Sequence, residues 1–330
     1  MRNRIIFILS ALGLFNIIIW ILAIGASHNY PILLGLVTLA YGLGLRHAVD
    51  ADHIAAIDNT IRKLIQDGQK PVGVGLFFSL GHSTIVILLS ILVSFSASYI
   101  KENLPQFQET GSLIGTSVSS LFLLVIGIIN FFVFISIYKQ WKIVSKGGKY
   151  KEITLNQHLE NRGILTRLLK PLLKSIKNSW NMYFVGFLFG LGFDTATEIG
   201  ILSISAATGA SGIPIQYIIL IPLAFTAAMT LVDTLDGILM LGAYGWAQIK
   251  PVRKLYYNMN ITFISVVIAL FLGGIEAMQL FIEKMNLEGG FFNLISGLDF
   301  TNMGYFIIGI FILSFLGSAL VYKIQGYDLL

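Results

Sequence analysis

Apolar residues along this chain are grouped in long blocks rather than in the narrow stripes of surface helices. Eight blocks stand out, near residues 5–25, 31–57, 73–99, 111–138, 181–207, 214–245, 257–283 and 302–323. Each reaches or passes the roughly 20 residues a helix needs to cross the hydrocarbon layer of a bilayer. The pattern predicts an all-α integral membrane protein with eight transmembrane helices, forming one transmembrane domain over residues 1–330. Several blocks exceed a single crossing, which predicts tilts, breaks or protruding ends. Pro71, Pro214 and Pro251 fall at or near block ends, and Pro222 predicts a kink inside the sixth. The first block follows Arg2 and Arg4 and ends at Gly25-Ala26-Ser27, much as a signal peptide does. Its apolar core, Ile5 to Ile24, is longer than the ~7–15 residues of a signal core, so it is read as a retained helix.

Composition agrees. The chain is 55% hydrophobic and 12% charged, against about 25% charged for soluble domains, and its mean hydropathy is +0.80. The charges are sorted. Of the 22 Lys and Arg, all but Arg46, Lys101 and Lys284 fall on one side when alternate loops are assigned to alternate faces. By the positive-inside rule that side is the cytoplasm, which places both termini there. The stretch 139–180 becomes a basic cytoplasmic loop, read as a topology signal beside anionic lipid. The net charge of +5 then needs no nucleic-acid partner. No P-loop pattern is present, because Lys146-Gly147-Gly148-Lys149 lacks the flanking strand and spacing, so no ATP-binding role is expected of this chain.

The polar residues inside the blocks carry the chemistry. Eight of the 17 acids fall there: Asp50, Asp52, Asp58, Asp194, Glu198, Asp233, Asp236 and Glu276. Asp58, at a block end, best suits an interfacial placement, and Glu276 suits an interfacial place as well as a functional one. The others are expensive at membrane depth, where each ionised group costs at least ~2.5–3.5 kcal/mol. Within the blocks Arg46 is the only base against those eight acids, and that imbalance points to a cation. On a continuous helix His47, Asp50 and His53 share one 120° arc at 100° per residue, while Asp52 turns about 100° away from His53 toward Arg46 or a neighbouring helix. His82 lies in the third block. Asp194 and Glu198 (i,i+4) and Asp233 and Asp236 (i,i+3) are paired carboxylates that need a proton, a base or a cation between them. A plainer reading is that these groups neutralise one another between helices, but it leaves the paired imidazoles unexplained. Asn130 is suited to bridging two helices. His28 and His158 read as surface histidines.

With no cysteine in the chain, any metal must be held by imidazole nitrogen and by oxygen, which removes the thiolate ligands that soft Cu(I) prefers. No His-Glu-x-x-His pattern is present, which argues against an intramembrane metalloenzyme. Helices two to four and five to seven each open with an acid-rich helix, continue with a second polar helix and end with one holding a single polar group. That order suggests inverted three-helix repeats.

Four segments carry a family resemblance: Arg46 to Ile54, Phe77 to Thr84, Leu191 to Glu198, and Met229 to Gly237. In order and content they resemble the four motifs of the nickel/cobalt transporter family, close to the bacterial high-affinity nickel permeases. The last motif often begins Gly-Met, and Ala228 stands here in place of that glycine. The resemblance implies high-affinity uptake of Ni²⁺, sometimes Co²⁺, across the bacterial cytoplasmic membrane by a secondary permease driven by potential or protons. A related efflux branch is the alternative. It implies no enzyme activity, no resident cofactor and no ATPase subunit; the partners are the divalent ion and the bilayer. Carried over by position, it makes His47, Asp50, Asp52 and His53 essential for transport. His82, Asp194, Glu198, Asp233 and Asp236 join them as metal-site candidates, with Arg46, Ser79, Asn130, Thr195 and Thr230 in support.

Overall fold

The computed structural model describes residues 1–95, 97–144, 176–192, 196–247, 251–298 and 303–324. Among them it is built from helices, with no strand. In chain order these are α1 (Arg2–Ser27), α2 (Ile32–His47), α3 (Ala51–Gln66), α4 (Val74–Phe95), α5 (Ala97–Val144), α6 (Met182–Phe189), α7 (Ala196–Ala210), α8 (Ile215–Ile218), α9 (Leu220–Ala247), α10 (Pro251–Met285), α11 (Gly290–Ser296) and α12 (Met303–Ile324).

Five stretches are long and apolar enough to cross a membrane: α1, α4, Thr110–Val144 of α5, Ile215–Ala243 across α8 and α9, and Leu255–Met285 of α10. Together α2 and α3 form a sixth candidate, bent by 53°. The fifth expected block is divided, because α6 ends at Phe189, residues 190–192 are non-helical and α7 begins at Ala196. The helix of the eighth block, α12, is apolar over the shorter stretch Met303–Ser318. Many large apolar side chains point outward, among them Phe7, Leu239, Phe306 and Leu313, as expected of a surface solvated by lipid.

The second block corrects the continuous-helix expectation. Helix α2 stops at His47, and Asp50 takes an extended backbone (φ −66°, ψ 144°) as the N-cap of α3. Its carboxylate accepts the Asp52 N–H at 3.3 Å, the usual way an aspartate satisfies an orphan donor at a helix start. The 120° arc over His47, Asp50 and His53 therefore does not exist as a helix face.

Three interior expectations are also corrected. Asp58 is fully buried rather than interfacial. It pairs with Arg62 (3.4 Å) one turn on and accepts from the Ser265 hydroxyl of α10, while Arg62 also donates to Thr262 at 2.9 Å and Ser265 at 2.6 Å. Lys63 is buried too, donating to the Ile176 carbonyl at 2.5 Å. Helix α3 runs on past the expected block end, so Arg46 is not the one base among interior acids; it is exposed. Glu276 is buried at 3% exposure rather than interfacial.

Packing sets the break in place. Helix α9 lies against α2 and α4, and α10 runs along α5. A Cβ on Gly75 of α4 would run into the Asp233 carbonyl of α9, and one on Gly304 of α12 would run into the Val49 carbonyl at the break. Backbones this close require glycine. Met303, Ile307 and Phe311 of α12 pack into the same apolar cluster as Val49, Ile54 and Phe78.

Candidate metal centre

Three imidazoles converge from three helices. His47 closes α2, His53 lies in the first turn of α3, and His82 lies in α4; each is 2–3% exposed. Ring centroids are 4.7 Å apart for His47 and His53, 4.8 Å for His47 and His82, and 4.9 Å for His53 and His82. One ring nitrogen from each lies within 4.8 Å of the others. Nε2 of His47 is 3.0 Å from Nε2 of His82, and the latter is 2.8 Å from Oε1 of Glu198. Clustering three imidazoles in an apolar interior is unfavourable unless a shared guest or fixed partners compensate.

Those partners sit on the far side of the rings. His53 Nδ1 is hydrogen-bonded to Oδ2 of Asp233 on α9 at 3.2 Å, and its Nε2, although buried, has no partner among the described residues. His47 Nδ1 lies 3.0 Å from the Thr197 hydroxyl in the first turn of α7. A carboxylate or hydroxyl behind an imidazole fixes its tautomer and ring plane and raises its basicity as a ligand. Phe78 stands edge-on to His53 (4.8 Å, 90°), and Phe225 lies 5.4 Å from His47. These rings form an apolar shell that limits water access.

A cavity of about 30 Å³ adjoins the rings, enough for one or two water-sized guests. His47, His53, His82, Asp50, Asp52 and Glu198 supply its ligand-bearing wall, and Gly115, Ser119, Phe189 and Gly192 the remainder. Three nitrogens and several carboxylate oxygens around so small a space suit a partly dehydrated divalent transition metal.

The other expected residues fall in different places. Asp52 lines the cavity despite its turn away on an ideal helix, and its second partner is Ser119 of α5 rather than Arg46. Asp233 acts from behind His53. Asp236, half-buried one turn along α9, lies within electrostatic reach of Asp58. Ser79 and Thr230 are buried and bond back to carbonyls of their own helices, at Gly75 and Thr226. Asn130 bridges α5 to α3 through Asn59 at 2.7 Å. Arg46, Ser79, Asn130 and Thr230 do not line the cavity. Asp194 and Thr195 lie outside the described residues.

Sequence reasoning missed Ser119, Thr197, Gly115, Gly192 and the aromatic shell. A usable signal for α5 was the run Gly115-Thr-Ser-Val-Ser-Ser120, small and polar inside an apolar block. Such residues gather at helix interfaces in membranes.

Comparison with known proteins identifies the family. A family model described as high-affinity nickel-transport protein matches residues 33–321. The high-affinity nickel transport protein of Cupriavidus necator is 50% identical over 329 residues, covering 99% of this chain and 94% of that protein. The high-affinity nickel-transport protein NixA of Helicobacter pylori strain J99 is 46% identical over 296 residues, covering 87% and 88%. The cobalt transport protein NhlF of Rhodococcus rhodochrous is 36% identical over 332 residues, covering 97% and 92%. No solved structure matches the chain. A match across most of the chain, with the imidazoles and carboxylates of its first two motifs gathered around one small cavity, identifies this protein as a member of the high-affinity nickel-transport family.

Proposed function

We propose that this chain imports Ni²⁺, with Co²⁺ as a further candidate cargo, across the bacterial cytoplasmic membrane as a secondary permease. The observation that carries the reading is the buried triad of His47, His53 and His82 beside Asp50, Asp52 and Glu198 at one cavity. Imidazole mixed with oxygen favours nickel and cobalt over magnesium, and the absence of thiolate removes the softest donor. The metal-ligand set is His47, Asp50, Asp52, His53, His82 and Glu198, with Asp233 behind His53. Asp236, outside the cavity wall, and Asp194 of the third motif complete the set of candidates for the ion path.

The architecture we propose has eight transmembrane helices, with α2–α3 and α6–α7 each forming one broken crossing and α12 the last. Both termini and residues 139–180 are cytoplasmic. This topology rests on the sorting of Lys and Arg. The inverted-repeat reading gains support from the two breaks, since the first crossing of each proposed repeat is interrupted beside its acidic motif. Broken helices at a repeat interface are a common way to build an ion site at membrane depth.

In the cycle, the ion exchanges part of its water for imidazole and carboxylate, the two halves rock about the site, and it leaves inward. Import is preferred to efflux because the 139–180 stretch holds one histidine, His158, rather than a metal-collecting run. The test is nickel-63 accumulation in cells expressing the chain. Import predicts raised cell nickel and raised activity of nickel enzymes, and His47→Ala should lower uptake at least tenfold. Raised nickel tolerance with lowered content would instead assign efflux, and normal uptake by His47→Ala would remove the site.

A further inference from the structure

One polar residue at the cavity belongs to none of the four motifs. Ser119 lies in the first half of the α5 span and is 5% exposed. Its hydroxyl donates to Oδ2 of Asp52 at 3.0 Å. The other oxygen of that carboxylate, Oδ1, is buried and has no partner among the described residues, and both residues line the cavity. Gly115, four residues earlier and on the same face of α5, also lines it. A Cβ there would collide with the backbone of Gly192. The α5 backbone is therefore pressed against the 190–192 turn, and this contact fixes where the Ser119 hydroxyl can reach.

We infer that Ser119 is a positioning residue for cation capture, holding the Asp52 carboxylate so that Oδ1 is the oxygen offered to the ion. This rests on the proposed nickel import. Asp52 sits in the first turn of α3, where its backbone N–H is tied to Asp50 but its side chain has Ser119 as its fixing partner. Without the hydroxyl, Oδ2 joins Oδ1 as an unpartnered buried oxygen, and the carboxylate gains rotamer freedom that each binding event must remove. A hydrogen bond from a fixed donor to a ligating carboxylate commonly governs metal affinity through orientation alone.

The test compares Ser119→Ala, Ser119→Cys and Ser119→Thr in the full chain, with Ser117→Ala as control. Ser117 is on the same helix, exposed and bonded to its own backbone at Leu113. Nickel-63 uptake should show KM raised about tenfold for Ala and Cys, with Vmax per amount of membrane protein held within about twofold. Cysteine matches serine in size but is a weak donor, so it separates the hydroxyl from packing if the alanine variant accumulates poorly. Thr should keep KM near the wild-type value, and Ser117→Ala should match wild type. Equilibrium binding of nickel-63 to purified protein then locates the effect: in an Asp52→Asn background the Ser119→Ala loss should shrink to less than about twofold, because contacting residues couple. Wild-type KM for Ala and Cys, equal loss for Thr and Ala, or the same fold-loss with and without Asp52 would each overturn the inference. Absence of nickel uptake by the wild-type chain would instead sink the functional reading on which it rests.

Discussion

His53 has its two ring nitrogens in different surroundings, and the difference defines its part in the site. Nδ1 is committed to Asp233, while Nε2 is buried with no partner among the described residues. Replacing Asp233 with Asn keeps the shape but removes the carboxyl group that fixes the tautomer. Nickel affinity of the purified Asp233→Asn protein should fall 10- to 100-fold. Asp236→Asn, one turn further along α9 and outside the cavity wall, should change it less than about threefold. Equilibrium dialysis with nickel-63 on both variants checks the order, and a larger loss at Asp236 would reverse the assignment. At this scale the sequence was informative about chemistry and poor on geometry. Two histidines and two aspartates within seven positions marked the centre, and no soluble-surface reading could absorb them. That Asp233 stands behind an imidazole while Asp52 faces the cavity was not legible, since both follow from how α5 and α9 pack on α3. Asp58 misled for a related reason. Its partner Ser265, and Thr262 that binds the paired Arg62, lie about 200 residues away in an unremarkable part of α10.

At the scale of the element, the break between α2 and α3 decides the site. Hydropathy reads straight through residues 31–57, because Ala48-Val49 carries neither proline nor glycine. The one local sign was Asp50, a good N-cap followed by residues that form helix. What holds the break open lies far off, in α12, where Gly304 lets the backbone rest on the Val49 carbonyl. A methyl there must move the joint or the helix, and overpacking of this kind costs about 1–3 kcal/mol. Gly304→Ala should therefore lower nickel uptake and thermal stability together, whereas Gly309→Ala, with open space around it on the same helix, should leave both unchanged. Uptake assays and melting in detergent measure this, and equal effects at the two glycines would mean that the contact carries no weight. The other long crossings were legible because α1, α4, α9 and α10 are apolar for most of their length and set their own limits. The divided α6–α7 crossing was signalled only by Gly190 and Gly192.

For the whole molecule the governing quantity is charge across a barrier. A membrane potential supplies ~2.3 kcal/mol per charge per 100 mV, so a divalent cation gains ~4.6 kcal/mol, equivalent to roughly a 2,000-fold gradient. Import driven in this way needs no nucleotide. Nickel-63 uptake into vesicles should rise steeply as an inside-negative potantial is imposed and collapse when an ionophore removes it; uptake indifferent to potential would assign the drive to protons instead. The buried Asp58–Arg62 pair belongs at this scale too, because through Thr262 and Ser265 it ties α3 to α10 across the bundle.

The 53° bend has a mechanical corollary. His47 rides on α2 and His53 on α3, so the spacing of their rings varies with the angle between the two arms. Cage tightness and joint angle are thus a single coordinate. An ion gripped by both rings would splint the joint and its departure would free the arms, which would couple occupancy to the rest of the bundle.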